Sequence, residues 1–75
     1  DVQATNIKLV KRAIRLTQVS TGASEEAAKN ALEECRFKVK TAIVMLRLEL
    51  DAEEAEASLG RVGGSVREAL KAGGG

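Results

Sequence analysis

Residues 24–43 read SEEAAKNALEECRFKVKTAI and residues 51–70 read DAEEAEASLGRVGGSVREAL. Laid over one another at an offset of 27 residues, the two stretches stay in step without a gap. Ser24 meets Asp51, Glu26 meets Glu53, Ala28 meets Ala55 and Leu32 meets Leu59. Cys35 meets Val62, Val39 meets Val66, Ala42 meets Ala69 and Ile43 meets Leu70. Five of the twenty positions are identical. The positions that match are those a helix depends on: a side chain able to cap the first turn, then small or apolar residues at helical spacing. The unit is a capped helix, a tight link and a second helix opening on valine, used twice.

Working outward, Ser24 caps a helix from Glu25 to about Cys35, with two glutamates in its first turn to suit the helix dipole. Ala28, Ala31, Leu32 and Cys35 make its inner face. Arg36-Phe37-Lys38 link it to a helix from Val39 to about Leu48. The run Ala42-Ile43-Val44-Met45-Leu46 is apolar nearly all round, which predicts a central position. Asp51 caps a fourth helix, through about Val62. Gly63-Gly64 turn the chain, Ser65 caps a last helix over Val66–Ala72, and residues 73–75 read as a flexible tail.

On the other side, Ser20-Thr21-Gly22-Ala23 breaks the pattern of a first helix. That helix is predicted from a cap at Thr5 or Asn6 to about Val19, with Asp1–Thr5 as an extended lead-in. At 100° per residue, Leu9, Val10, Ala13, Ile14, Leu16 and Thr17 share one broad arc, with Ile7 at its edge. Lys8, Lys11, Arg12 and Arg15 fall on the opposite arc. One face is therefore expected in the core, and the other is a basic stripe.

Composition agrees with helices packed closely. The chain has 75 residues, no proline, one aromatic (Phe37) and twelve alanines among its apolar residues. A core must then be built from aliphatic side chains, Met45 and Cys35, with alanines letting backbones approach. At this size one core is barely sufficient. The expected class is all-α: a small bundle of about five helices, with a three-helix unit and a repeated helix–turn–helix, in one domain over residues 6–72.

The same inventory narrows function. There is no histidine, tyrosine or tryptophan, so acid–base work would fall to carboxylates and lysines. The carboxylate pairs Glu25/Glu26, Glu33/Glu34 and Glu53/Glu54 are neighbours in sequence, diverge by about 100° on a helix, and read as solvated charge. No metal-ligand spacing and no phosphate-cradling glycine loop is present, so no cofactor is expected. Cys35 sits among apolar residues and reads as a buried, reduced packing residue. One cysteine, no signal peptide and no long apolar run suggest a cytoplasmic protein with no membrane partner. The chain opens at Asp1, not methionine, as expected of a piece of something longer.

The formal net charge is +1. Its distribution says more: residues 1–24 carry four basic groups and one acid, residues 25–56 five basic groups and nine acids. Only the first segment suits an anion. Within it Lys8 stands out, because a first-turn lysine is backed by unpaired backbone N–H groups. Four cations without aromatics to stack on bases argue against nucleic acid as a partner.

These residues also carry a resemblance. Asp1-Val2-Gln3-Ala4-Thr5-Asn6-Ile7-Lys8-Leu9, followed by Arg12-Ala13-Ile14-Arg15, resembles the segment after the sugar-isomerase domain of N-acetylmuramic acid 6-phosphate etherases. In order along the chain, so do Thr21-Gly22-Ala23-Ser24, Ala31-Leu32-Glu33, Lys40–Leu46, Leu50–Ala55 and Gly63–Leu70. The Thr-Asn-x-Lys-Leu opening and the Gly-Gly-Ser close are the most specific parts. Phe37-Lys38 departs from the family, which often has a Gly-Asn or Gly-Ser type turn there.

The resemblance implies a non-catalytic C-terminal helical domain. Such enzymes cleave the lactyl ether of N-acetylmuramic acid 6-phosphate to N-acetylglucosamine 6-phosphate and D-lactate in cell-wall recycling. The catalytic glutamates and phosphate-binding serines of that family belong to the isomerase-type domain, which these residues do not include. In the related glucokinase regulatory proteins a similar helical domain caps a sugar-phosphate site. Carried over, the pattern makes Lys8 a substrate ligand and Asn6 a weaker candidate, with the missing isomerase domain as partner in a homodimeric parent. Residues 6–50 also resemble a three-helix ubiquitin-associated fold. That points to the alternative of a protein-interaction module using the Thr21–Ala23 loop and the end of the third helix. The bulky apolar residues that ubiquitin binders carry in that loop are absent.

Overall fold

The computed structural model describes the backbone of residues 2–74 and the side chains of residues 7–73. Every regular element among them is helical: α1 (Val2–Thr21), α2 (Glu25–Glu34), α3 (Val39–Leu48), α4 (Ala52–Arg61) and α5 (Val66–Gly74). The helix starts follow the capping chemistry. Ser24 Oγ accepts from the Ala27 N–H at 3.1 Å, Asp51 Oδ1 from the Glu54 N–H at 2.8 Å and Ser65 Oγ from the Glu68 N–H at 3.2 Å. Each satisfies one donor that the first turn leaves unpaired. Lys38 opens α3 without a side-chain cap.

The 27-residue register holds through the turn that follows α2 and α4. The Phe37 N–H bonds the Leu32 carbonyl at 2.6 Å, and the Gly64 N–H bonds the Leu59 carbonyl at 2.8 Å. Arg36 and Phe37 have φ of 62° and 60°, and their counterparts Gly63 and Gly64 have 71° and 86°. The register also runs back past the capping residue. Gly22, with φ 76°, ends α1 as Glu49, with φ 56°, ends α3. Thr17 of α1 and Val44 of α3, again 27 apart, are both fully buried. The molecule is thus two overlapping three-helix units, α1–α2–α3 and α3–α4–α5, that share α3.

That sharing places α3 in the middle, as its all-round apolar sequence predicts: it packs against each of the other four helices. Five consecutive residues, Thr41–Met45, are buried on it. The repeated alanines do the close packing. Ala28, Ala42, Ala55 and Ala69 are all fully buried, and a methyl at each lets backbones approach where a larger side chain would hold them apart. Leu32, Val44, Thr17 and Cys35 are the largest side chains completely removed from water. Each buried aliphatic side chain of that size contributes roughly 1.5–3 kcal/mol relative to exposure. Glu34 Oε2 accepts from the Ala52 N–H at 3.3 Å, tying the end of α2 to the start of α4. The Lys38–Glu56 ion pair, 3.4 Å long with both side chains about half exposed, adds little in water.

Three expectations need correction. The extended lead-in is not seen over residues 2–5, which are already α-helical. Val2-Gln3-Ala4-Thr5 contains no proline or glycine to stop propagation, so the turn needs no cap at Thr5 or Asn6 to begin. Asp1 lies outside the described residues. At the other end, Gly73 and Gly74 belong to α5 and not to a tail. Gly73 sits so close to the Leu48 side chain that an added Cβ would collide with it. Gly75 lies outside the described residues. Finally, Leu9 and Leu16, expected in the core, are 56% and 50% exposed.

Candidate functional site

The residues that could meet a ligand collect on α1. This helix runs twenty residues with four cations and no acid. Its buried side is narrow: Ala13, Ile14 and Thr17 are below solvent, and Val10 and Gln18 are partly covered. Thr17 is the polar residue fully buried there. Its hydroxyl donates to the Ala13 carbonyl at 2.8 Å, so the buried oxygen is satisfied within the helix.

Lys8, Lys11, Arg12 and Arg15 are all exposed, and none makes an ion pair among the described residues, where Lys38–Glu56 is the pair found. The helix starts at Val2, which makes Lys8 its seventh residue. Its backbone N–H is therefore past the unpaired first turn, and the helix dipole adds nothing special at that point. Any anion taken by Lys8 must be held by the ammonium group alone or with residues from elsewhere. The side chain of Asn6 lies outside the described residues.

Beside the cations runs an apolar surface that the arc of hydrophobic residues on α1 concealed. Leu9, Arg12 and Leu16 line one wall of an open groove of about 590 Å³, and Phe37 and Val39 line the other. Val19, 78% exposed, extends the apolar surface next to the groove, whereas Ile7, 57% exposed, lies on the far side of the helix from Leu16. The sequence held one signal for this. The apolar arc of α1 spans about 160° at 100° per residue, wider than the stripe of about 100° that one packed side needs. Two faces were folded into one.

Phe37 reaches the groove through an uncommon backbone. It and Arg36 are consecutive non-glycine residues in the left-handed region, where a Cβ costs roughly 1–2 kcal/mol per residue. The link stays closed because the Phe37 N–H bonds back to Leu32 and the ring packs against the core.

Cys35 is buried, and its Sγ lies 3.3 Å from the Lys38 carbonyl as donor. Burial pushes the thiol up from its usual value; the hydrogen bonds to backbone pull it back only in part, and nearby Glu56 and Glu34 add to the rise. A protonated thiol packed in a core is a poor nucleophile. The Thr21–Ala23 loop is ordered by one side chain: Thr21 Oγ1 donates to the Thr17 carbonyl at 2.7 Å and accepts from the Ala23 N–H at 3.1 Å. Among the described residues, no group of three or more acidic, cysteine or histidine side chains could hold a metal. No helix there is long and apolar enough to cross a membrane. The chemistry this surface offers is recognition, of an anion or an apolar partner.

Comparison with known proteins gives that surface a context. The chain is 54% identical over 70 residues to an N-acetylmuramic acid 6-phosphate etherase of Deinococcus radiodurans. It is 46% identical over 71 residues to one of Escherichia coli and 48% identical over 73 residues to one of Mycolicibacterium smegmatis. These matches take in 93%, 95% and 97% of this chain, but 23%, 24% and 24% of the relatives. The chain therefore spans about a quarter of the length of the curated relatives it matches. No family model matches it, and no solved structure matches it.

Proposed function

We propose that this chain, homologous to a C-terminal quarter of the N-acetylmuramic acid 6-phosphate etherases, is the helical cap of such an enzyme. The observation that carries the reading is sequence identity of 46–54% running through nearly the whole chain in the relatives named above. The parent is then a carbon–oxygen lyase of the cytoplasm. It cleaves the lactyl ether of N-acetylmuramic acid 6-phosphate to N-acetylglucosamine 6-phosphate and D-lactate. Bond cleavage belongs to its isomerase-type domain, and this domain packs against that one within a homodimer.

The cap's physical work is to exclude water from the sugar-phosphate site and to bring a cation to it. Lys8 is the residue for that role: it is exposed and lacks an ion-pair partner among the described residues. Asn6, two positions earlier, is the second contact. A cation at fixed distance from a phosphate stabilises the bound sugar in ground state and transition state alike, so its removal falls mainly on KM.

The test replaces the C-terminal quarter of the Escherichia coli etherase with this chain and follows D-lactate release. An active chimera whose Lys8→Met variant has KM raised about tenfold or more, with kcat little changed, supports the reading. An active chimera indifferent to Lys8→Met and to Asn6→Ala removes both residues from the site and leaves the domain a scaffold.

A further inference from the structure

Helices α4 and α5 meet the rest of the chain almost wholly through α3. The packed pairs are α1 with α2, each of these with α3, α4 with α5, and each of these again with α3. Two ties bypass α3, from the Ala52 N–H to Glu34 Oε2 and from Lys38 to Glu56. Both lie at the surface, where water competes for the partners. The α4–α5 hairpin can therefore leave without separating any two of α1, α2 and α3. The side of α3 that receives it follows from the register. Ile14 and Thr17 are covered on α1, and 27 residues on Thr41 and Val44 hold their places on α3, both buried. Leu48, one turn beyond Val44, meets Gly73 at the end of α5.

The second unit repeats the packing of the first with less of it. Where α2 has Ala31, Leu32 and Cys35, all buried, α4 has Ser58, Leu59 and then Val62, and Val62 is only partly covered. The loss deepens along the last helix. Val44 and Met45 are buried on α3, whereas their counterparts on α5, Lys71 and Ala72, are exposed. α5 then ends in glycines, which favour a helix less than any residue but proline. The links differ in the same sense. Phe37 packs its ring against the core in the first, and Gly63-Gly64 has no side chain to anchor the second.

We propose that α4–α5 is a separately opening hairpin, which swings off α3 while α1–α2–α3 stays folded and bares a strip of α3 formed by Thr41, Val44 and Leu48. Cooperative units that open below the global transition often coincide with such supersecondary motifs, and in a repeat array each unit is held mainly by its neighbour. The two helices leave together because they pack on each other as well as on α3. The hinge is the short connection 49–51. Glu49 ends α3 in the left-handed region, and the Leu50 N–H bonds the Met45 carbonyl at 3.0 Å, which fixes the α3 side of it. The inference rests on contacts within these 75 residues and not on the reaction of the parent enzyme.

The experiment is amide hydrogen exchange, followed by NMR on the isotope-labelled 75-residue chain through a series of urea concentrations below the unfolding transition. The amides of Ser58, Leu59, Ala69 and Leu70 are expected to exchange at least about tenfold faster than those of Thr17, Ala31 and Leu32. Those of α4 and α5 should share one urea dependence, shallower than that of α1 and α2, because less surface is exposed when the hairpin opens than when the chain unfolds. Leu59→Ala gives a second reading: resonances of α4 and α5 move to random-coil positions, and those of α1, α2 and α3 stay dispersed. Equal protection with one urea dependence across all five helices overturns the proposal. So does fast exchange confined to α5 with α4 as protected as α2, which is fraying of a chain end. Collapse of the whole spectrum in Leu59→Ala overturns it as well, since α1–α2–α3 would then depend on the hairpin.

Discussion

The Phe37 N–H and the Leu32 carbonyl meet at 2.6 Å, and this bond closes a link whose counterpart 27 residues on is made of two glycines. Glycine reaches positive φ without a steric cost, and an arginine or phenylalanine does not. The two units therefore solve one geometric problem with different chemistry, and single substitutions can read the difference.

Arg36→Gly is expected to stabilise the chain by about 0.5–1 kcal/mol, because relief of the left-handed strain exceeds the flexibility glycine adds to the unfolded state. Gly63→Ala and Gly64→Ala are expected to destabilise by about 1 kcal/mol each. No neighbouring atom lies within 4 Å of a Cβ at either site, so the loss comes from the backbone alone. Urea unfolding followed by circular dichroism measures all three.

Thr17 and Val44 hold equivalent, fully buried places in the two units. Thr17 satisfies its hydroxyl on the Ala13 carbonyl, which already serves the helix ladder, so little depends on that bond. Thr17→Val should leave stability unchanged or raise it by up to about 1 kcal/mol. A loss above about 1 kcal/mol in the same assay would mean that the hydroxyl has a further partner.

Leu32 and Leu16 separate the core from the open face. Leu32 has no exposed surface, and Leu16 is half exposed. Leu32→Ala should cost about 2–5 kcal/mol and leave so small a domain largely unfolded at room temperature. Leu16→Ala should cost less than about 1 kcal/mol. Thermal melts of the two variants side by side check both the core assignment and the exposure of α1.

Cys35 predicts a pH dependence. Its thiol is raised in the fold, mainly by burial, so the folded state holds that proton more tightly than the unfolded chain does. The resulting stability is complete below the unfolded thiol value of about 8.5 and is lost as pH rises through the higher folded value. The urea midpoint should fall from about pH 9 upward, less steeply in Cys35→Ala. Iodoacetamide at pH 8 should alkylate the native thiol at least about tenfold more slowly than the urea-unfolded one.

Much of this molecule could be read from local chemistry. Ser24, Asp51 and Ser65 cap helices because a short oxygen-bearing side chain before a helical pattern has an unpaired N–H within reach, whatever the rest of the fold does. The ends at Gly22 and Gly63-Gly64 follow from the one residue that turns left-handed freely. The spacing of Ala28, Ala31, Leu32 and Cys35 marks an inner face, and the all-round apolar run of α3 leaves it no place but the centre. Those assignments depend on contacts within a few residues, which a sequence lists directly.

What only the tertiary structure decided is what the broad apolar arc of α1 touches. Ala13, Ile14 and Thr17 are covered, and Leu9, Leu16 and Val19 are not, because α2 and α3 approach from one side only. Hydrophobicity says that a residue gains by leaving water, not which neighbour is there to take it. The left-handed Arg36-Phe37 link was hidden for the same reason: its local preference runs against that conformation, and the bond to Leu32 and the packing of the ring override it. The position of Lys8 also depended on the assembled helix, since a start at Val2 places it beyond the first turn. Its lack of an ion-pair partner among the described residues and Phe37's place in the groove are consequences of distance in space, and no residue spacing along the chain encodes them.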